Sequence, residues 1–424
     1  MLQTADQLAQ ILRSALGSDA VIADLHALES HRVDGVTPRL LITPESTDQV
    51  VATLRVCTEV QATVIPWGGG TALALGNPPR RADVVIKLHR LDRVLEHDPA
   101  NLTVSAQCGL SLATLQSTLA AQKQFVPIDA PLSEKATIGG IVAANLNGPR
   151  RSAYGNVRDL VIGMKVVLAS GEQIKAGGKV VKNVAGYDMC KLFVGALGTL
   201  GIITEATLRV APTAEKMATL LGSGDLIQLE DFAAQIARSA LTPAAVFLVR
   251  DAAAENWRIG VWCEGFNETV KRQIDELETM AARSGMNRGM MTAEEHDAFW
   301  NRLRDFPLHQ DRLVYRITLP RAAVFGFVKL VGSWRNTAIV SDTATGTIWL
   351  ACAARKSALE RYPQLAGMAR ERRGHAIVFA APAALKAGIN VWGASASTLS
   401  LMREIKHQFD PDALLNPGRF VGHL

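Results

Sequence analysis

Pro66-Trp67-Gly68-Gly69-Gly70-Thr71 decides how this chain folds, because Thr137-Ile138-Gly139-Gly140 stands far downstream to complete it. Three consecutive glycines carry no Cβ atoms and reach positive φ freely, so such a loop can turn its N–H groups onto a diphosphate. The spacing fits neither G-x-G-x-x-G nor G-x-x-x-x-G-K-S/T, which excludes the Rossmann and Walker readings. A diphosphate shared by two separated glycine-rich loops points instead to a flavin dinucleotide.

Outward from the triple glycine, residues 40 to 95 read as an α/β unit. Leu40-Leu41-Ile42 is a strand, and Pro44 with Ser46 starts a helix carrying Val50, Val51, Leu54 and Cys57 on one face. Val64-Ile65-Pro66 runs directly into the glycines, and Val84 to Leu88 is a third strand. A second unit begins near residue 100, with a strand at Leu102 to Ala106 and an amphipathic helix marked by Leu112, Leu115 and Leu119. Thr137 opens a helix whose Ala143, Ala144 and Asn145 let a ligand come close, and whose N-terminus favours negative charge. Val161 to Lys175 forms a hairpin, Tyr187 to Val194 a helix, and Gly198-Thr199-Leu200-Gly201 turns into a strand at Ile202. From residue 213 glycine loops thin out, and helices alternate with strand-like runs in the manner of an α+β domain with an antiparallel sheet. The expected organisation is a helical extension over 1–32, a binding domain over 33–212 in two halves (33–98 and 99–212), a cap over 213–398, and a terminal segment, 399–424, that returns to the first domain.

Composition narrows the function classes. The 424 residues are 48% hydrophobic and 20% charged, which fits a core-forming protein of two or three domains. The net charge of +5 is spread out, without aromatic interleaving, so a nucleic-acid surface is not expected. Five scattered cysteines contain no C-x-x-C, so neither a disulfide framework nor an iron–sulfur cluster is expected from this chain. Leu8, Ile11, Leu12 and Ala15 recur at helical spacing, which reads as an amphipathic helix and not as a signal peptide. No apolar run is long enough to span a bilayer, and a cytoplasmic protein is expected. The nine histidines include no H-x-x-H, so no catalytic metal is expected.

Five pieces in order resemble the FAD-binding fold of the vanillyl-alcohol oxidase type. They are Pro66 to Thr71, the loop and helix from Thr137 to Gly148, Tyr154-Gly155-Asn156-Val157-Arg158-Asp159, Gly198 to Glu205, and Asn416-Pro417-Gly418-Arg419. The resemblance covers about residues 33 to 212 and 399 to 424, and implies an α+β protein with a two-part FAD-binding domain. More narrowly, Gly148-Pro149-Arg150-Arg151, Lys182-Asn183-Val184-Ala185-Gly186-Tyr187-Asp188, Tyr315-Arg316-Ile317-Thr318-Leu319-Pro320 and Gly374-His375-Ala376 resemble the FAD-binding subunits of glycolate oxidase. Such a subunit works beside a homologous catalytic flavoprotein subunit and an iron–sulfur subunit, and the complex oxidises glycolate to glyoxylate. The catalytic subunits carry Ser-Glu before Gly-Thr-Leu-Gly, where this chain has Ala196-Leu197. That departure favours the auxiliary subunit. Autonomous oxidation of a hydroxy acid and a silent flavin-holding scaffold remain the alternatives, and peripheral attachment to the membrane through the partners is left open.

The same resemblance implies the site. Pro66, Trp67, Gly68, Gly69, Gly70, Thr71, Thr137, Gly139 and Gly140 would surround the FAD diphosphate, with Pro127, Ala143, Asn145, Gly148, Gly155, Ile203 and Asn416 also on the cofactor. Relatives with covalent flavin carry a histidine in the first loop; Thr71 implies non-covalent FAD. For a 2-hydroxy acid, C2 gives hydride to the flavin, a base takes the hydroxyl proton and an arginine holds the carboxylate. His375 is the expected base, and Arg316 and Arg419 are the expected carboxylate ligands.

Overall fold

Strands in a parallel sheet are buried on both faces and so read as unbroken apolar runs. Leu40-Leu41-Ile42 and Val84-Val85-Ile86 meet that requirement, and their side chains are almost wholly buried. In the computed structural model, which describes residues 5–178, 187–254, 256–308, 312–393 and 397–424, β1 (Val21–Ile22), β2 (Leu40–Ile42), β3 (Val64–Trp67) and β4 (Val84–Lys87) form a sheet of order β1-β2-β4-β3. β3 and β2 both run parallel to β4, and β1 lies antiparallel to β2. Residues 1–32, expected as an extension, therefore contribute a strand to this sheet. Their helix Ala5–Leu16 also buries Leu8, Leu12 and Leu16 against it. The crossover helix Thr47–Glu59 starts at Ser46, whose Oγ accepts from Gln49 N at 3.2 Å.

The second sheet is antiparallel. β5 (Val94–Asp98), β6 (Thr103–Gln107), β8 (Val161–Val167), β9 (Gln173–Gly177) and β10 (Ile202–Arg209) take the order β5-β6-β10-β8-β9, while β7 (Gln124–Phe125) pairs with β11 (Ala211–Pro212). The helices Leu112–Ala120 and Ile138–Ala144 bury their apolar residues in the same core as this sheet. The helix expected over Tyr187 to Val194 is only the single turn Cys190–Phe193, and Lys182 to Gly186 fall outside the described residues.

The third sheet has eight antiparallel strands: β12 (Lys216–Gly224), β13 (Ala245–Arg250), β14 (Trp257–Gly265), β15 (Asn287–Met290), β16 (Arg312–Thr318), β17 (Ala338–Asp342), β18 (Thr347–Ala353) and β19 (His375–Ala380). Their order is β15-β12-β14-β13-β17-β18-β16-β19. Strand alternation sorts its residues. Tyr315, Ile317, Ile339, Leu350 and Val378 face the helices Leu226–Arg238, Asn267–Arg283, Val324–Val331 and Tyr362–Glu371. Val314, Val340, Ala351, Ile377 and Phe379 face the other way and join the core of the second sheet. Arg316 shares the parity of Val314, which turns it toward the first half of the molecule.

After the third sheet the chain comes back. The helix Leu399–Phe409 leads to residues that lie along the open edge of β3, where Val64 N donates to Leu414 O at 2.9 Å and Asn416 N to Val64 O at 2.8 Å. Among the described residues no helix is long and apolar enough to cross a membrane.

Candidate active site

Two clefts lie at the ends of these elements. The first, with about 800 Å³ of open space, sits at the C-terminal end of β3, where ligands collect in α/β sheets. Pro66, Trp67, Gly68, Gly69, Gly70, Thr71, Thr137, Gly139, Gly140, Ala143, Ile203 and Asn416 all line it.

Its two glycine loops are one structure. A Cβ on Gly69 would overlap the backbone carbonyl of Lys135, and one on Gly68 would overlap Thr137 Oγ1, so the loops touch backbone to backbone only because these residues are glycine. Gly70, at φ +73°, has its Cβ direction blocked by the Trp67 ring at 2.9 Å. The loops differ in what their amides do. Ile138 N donates to Leu110 O, Gly139 N to Cys108 O and Gly140 N to Thr137 Oγ1. The expectation that this helix start offers N–H groups to a phosphate is therefore corrected: those donors are spent on protein. In the first loop, the N–H groups of Gly69, Gly70 and Thr71 donate to no protein acceptor among the described residues.

Asn416 closes the cleft from the C-terminal segment. Its backbone sits at φ +46°, its Nδ2 donates to Leu197 O at 2.6 Å, and its buried Oδ1 has no partner. A buried orphan acceptor on the wall, with free amides across a glycine-lined space, fits a dinucleotide that brings both phosphate oxygens and N–H groups. Leu197, at φ +52°, puts an apolar side chain on the same wall.

Arg419 also lines this cleft, but it does not hold a substrate. Its Nη1 pairs with Asp34 Oδ2 at 3.1 Å, and its Nη2 donates to Leu73 O and Leu75 O, both at 2.6 Å. All of this is buried, and the expected carboxylate role is withdrawn.

The second cleft opens between the third sheet and the loop following the helix Ile138–Ala144. Asn145 and Gly148, expected on the cofactor, line this space instead. Pro127 and Gly155 line neither cleft. Gly155 is a turn residue at φ +90° that ends the helix Arg151–Tyr154. Gly148 is glycine because a Cβ would overlap Asp129. The neighbouring Arg150 binds Asp129 through Nε and Nη2, at 3.0 and 2.5 Å, and covers the rings of Phe125 and Trp262. Arg151 reaches into the cleft, where its Nη1 donates to Thr347 Oγ1 at 3.4 Å.

Opposite stands Arg316, whose guanidinium is flanked by the rings of Trp349 and Phe379 and makes no hydrogen bond or ion pair among the described residues. Burial first, and then the like charge of Arg151, pull its guanidinium down to about 10. Asp342 lines the same cleft. Its carboxylate accepts from Ala344 N and Thr345 N at 3.0 and 3.1 Å and from the Thr345 hydroxyl. Burial nevertheless outweighs these bonds and Arg151, and raises it to about 6. His375 begins the edge strand β19, is exposed, and lines neither cleft. Partial desolvation by the protein around the ring, and then the positive charge of Arg316, hold it below the usual histidine range even though the residue keeps a solvent-exposed face. Asp342, Arg151 and Thr347 were not identified in the sequence as site residues; Asp342 and Thr347 showed only as polar residues at strand ends, and Arg151 only as part of the Gly148-Pro149-Arg150-Arg151 motif.

Residues 38–177 match the family described as FAD binding domain. The chain is 30% identical to glycolate oxidase subunit GlcE of Escherichia coli, over 84% of this chain and 92% of that one. It is 29% identical to glycolate oxidase subunit GlcD of Bacillus subtilis, over 90% and 88%. Among solved structures, 4-ethylphenol oxidase from Gulosibacter chungangensis superposes with a TM-score of 0.74 at 16% identity, covering 98% of this chain and 96% of that one, which shows the fold.

Proposed function

Because the chain belongs to the family of FAD-linked oxidoreductases that includes these glycolate oxidase subunits, we propose that it is the FAD-binding subunit of a complex oxidising a small 2-hydroxy acid, glycolate foremost, to the 2-oxo acid. Electrons then pass to an iron–sulfur partner beside a homologous catalytic flavoprotein. The complex would work in the cytoplasm, or at the membrane through its partners.

The observation that carries the substrate class is Arg316, an unpaired guanidinium enclosed by aromatic rings beside Arg151. An enclosed cation without a counter-charge favours an anionic ligand, and a carboxylate matches the guanidinium fork. Gly69, Gly70 and Thr71 would hold the FAD diphosphate through their free amides, with Asn416 Oδ1 accepting from the cofactor. Bound FAD supplies a two-electron acceptor for the hydride on C2. Arg316 and Arg151 orient the carboxylate. Asp342, rather than the outlying His375, then takes the hydroxyl proton on its carboxylate once it is ionised. Thr71 leaves the cofactor non-covalent.

Purification tests this directly. The protein should be yellow and release intact FAD on acid or heat denaturation, and with its partners it should oxidise glycolate with an artificial acceptor. A colourless chain that cannot be reconstituted with FAD sinks the reading. Robust glycolate oxidation by the chain alone removes the need for partners. A second reading, a flavin-holding subunit without turnover of its own, is favoured by Leu197, which puts an alkyl group on the cofactor cleft where the resembling catalytic subunits carry Glu. Normal turnover of an assembled Arg316→Ala complex would support it.

A further inference from the structure

Beneath the first cleft lies a buried charged cluster that the chemistry above does not use. Lys386 ends the one-turn helix Ala383–Lys386 and is fully buried. Its Nζ pairs with Asp34 Oδ1 at 2.7 Å and donates to Ala74 O at 2.5 Å and Gly76 O at 3.2 Å. Arg419 pairs with the other oxygen of Asp34 and donates to Leu73 O and Leu75 O. Four consecutive carbonyls, from Leu73 to Gly76, are thus gathered onto two cations.

The consequences are mechanical and electrostatic. β3 anchors one end of the glycine loop, and this clasp anchors the other, three segments of distant sequence meeting to do so. Asp34 is the single carboxylate within ion-pair distance of either cation among the described residues, so one positive charge is left over. Burial holds both cations below their usual ranges, only partly offset by Asp34. A buried unmatched charge is costly unless a counter-ion arrives.

We propose that Lys386 is a positioning residue for the dinucleotide: with Arg419 it fixes residues 73–76 so that the free amides of Gly69 to Thr71 meet the diphosphate, whose negative charge answers the surplus charge of the clasp. The inference rests on FAD binding in the first cleft and not on the substrate proposed above.

The test compares apo-protein carrying Lys386→Met, Lys386→Gln or Lys386→Arg with wild type, titrated with FAD, with ADP and with riboflavin, which has no phosphate. Loss of three charge-assisted hydrogen bonds and the charge should weaken FAD and ADP by about 30-fold or more in Lys386→Met and leave riboflavin unchanged. Lys386→Arg, which keeps charge and donors, should stay within about threefold of wild type. If the methionine variant does not fold, Lys386→Gln, which keeps a donor but not the charge, should show about a tenfold loss for both phosphate ligands. FAD affinity within threefold of wild type in the methionine or glutamine variant overturns the proposal. So does an equal loss for FAD and riboflavin, which marks general collapse. Failure of wild type to bind FAD overturns the dinucleotide reading itself.

Discussion

The two clefts are built from different materials. The first is made of backbone: glycines, unspent amides and one orphan amide oxygen, with the one charged residue on its wall, Arg419, tied to Asp34 and two backbone carbonyls. The second is made of side chains: three arginines, an aspartate and a cage of aromatic rings, gathered from residues 131 to 379. A cofactor present in every turnover can be held by groups that need no rearrangement. A substrate that comes and goes is met by charges that it can neutralise.

The sharpest way to break this contrast is Gly69→Val. Its branch would enter the carbonyl of Lys135, so the loops should separate and FAD binding should be lost, with stability lowered by about 3 kcal/mol or more. Flavin absorbance after gel filtration, read with a melting curve, checks both. Retained flavin would show that the loops need not touch.

Arg316→Ala probes the other cleft. FAD should stay bound while kcat/KM for glycolate in the assembled complex falls by about 100-fold, the worth of a charged hydrogen-bond pair. Unchanged kcat/KM with flavin retained assigns turnover to the sister subunit.

Asp342 gives the side-chain cleft a pH signature that the backbone cleft lacks. Its folded value of about 6 lies above that of the unfolded chain. The stability it contributes is complete below the unfolded value and is lost as the pH rises through about 6. Asp342→Asn, which cannot ionise, should therefore gain up to about 3 kcal/mol on wild type at pH 8 relative to pH 4. Denaturant titrations at both values decide it, and an equal difference at both would refute the burial argument.

Gly140→Ala is gentler, because its Cβ would meet only Thr137 Oγ1, at 3.2 Å. The melting temperature should hold while FAD weakens about tenfold if the cofactor passes over this residue. Gly289→Ala is the control, with nothing near its Cβ direction. Gly346 is unsuitable, since at φ +80° its Cβ would overlap the Leu319 carbonyl. Smallest is Thr137→Ala, which removes a helix cap worth about 1 kcal/mol and should leave flavin bound. Fluorescence titration separates that loss from a loss of affinity.

The same difference in materials explains what could be read in advance. A backbone cleft needs glycines in sequence, so Gly68 to Gly70 and Gly139-Gly140 announced it, and twelve of the sixteen expected cofactor residues line one space. The side-chain cleft was hidden. Asp342-Thr343-Ala344-Thr345-Gly346 reads as an ordinary hairpin turn, and nothing local marks that burial raises its carboxyl. Lys386, in an alanine-rich stretch, reads as a solvated lysine. Arg419 failed for a related reason: sequence gives the residue type but not which neighbours have already taken its donors. The spent amides at Ile138 to Gly140 were missed in the same way. Strands β12, β17 and β19 were not anticipated, because only packing distinguishes short apolar runs of this kind from loop or helix.

The tie between Val64 and residues 414–416 bears on how the molecule is made. β3 appears early in synthesis, yet its outer edge finds its hydrogen-bonding partner only after some 350 further residues have been added. A contact of such sequence separation forms late, because long loop closure precedes any reward. On the ribosome the glycine loop would thus hang from an unfinished edge while the intervening sheets fold, exposed to wrong pairing and to proteases. Because Asn416 lines the first cleft, the wall of that cleft is complete only once residues 414–416 have docked on β3.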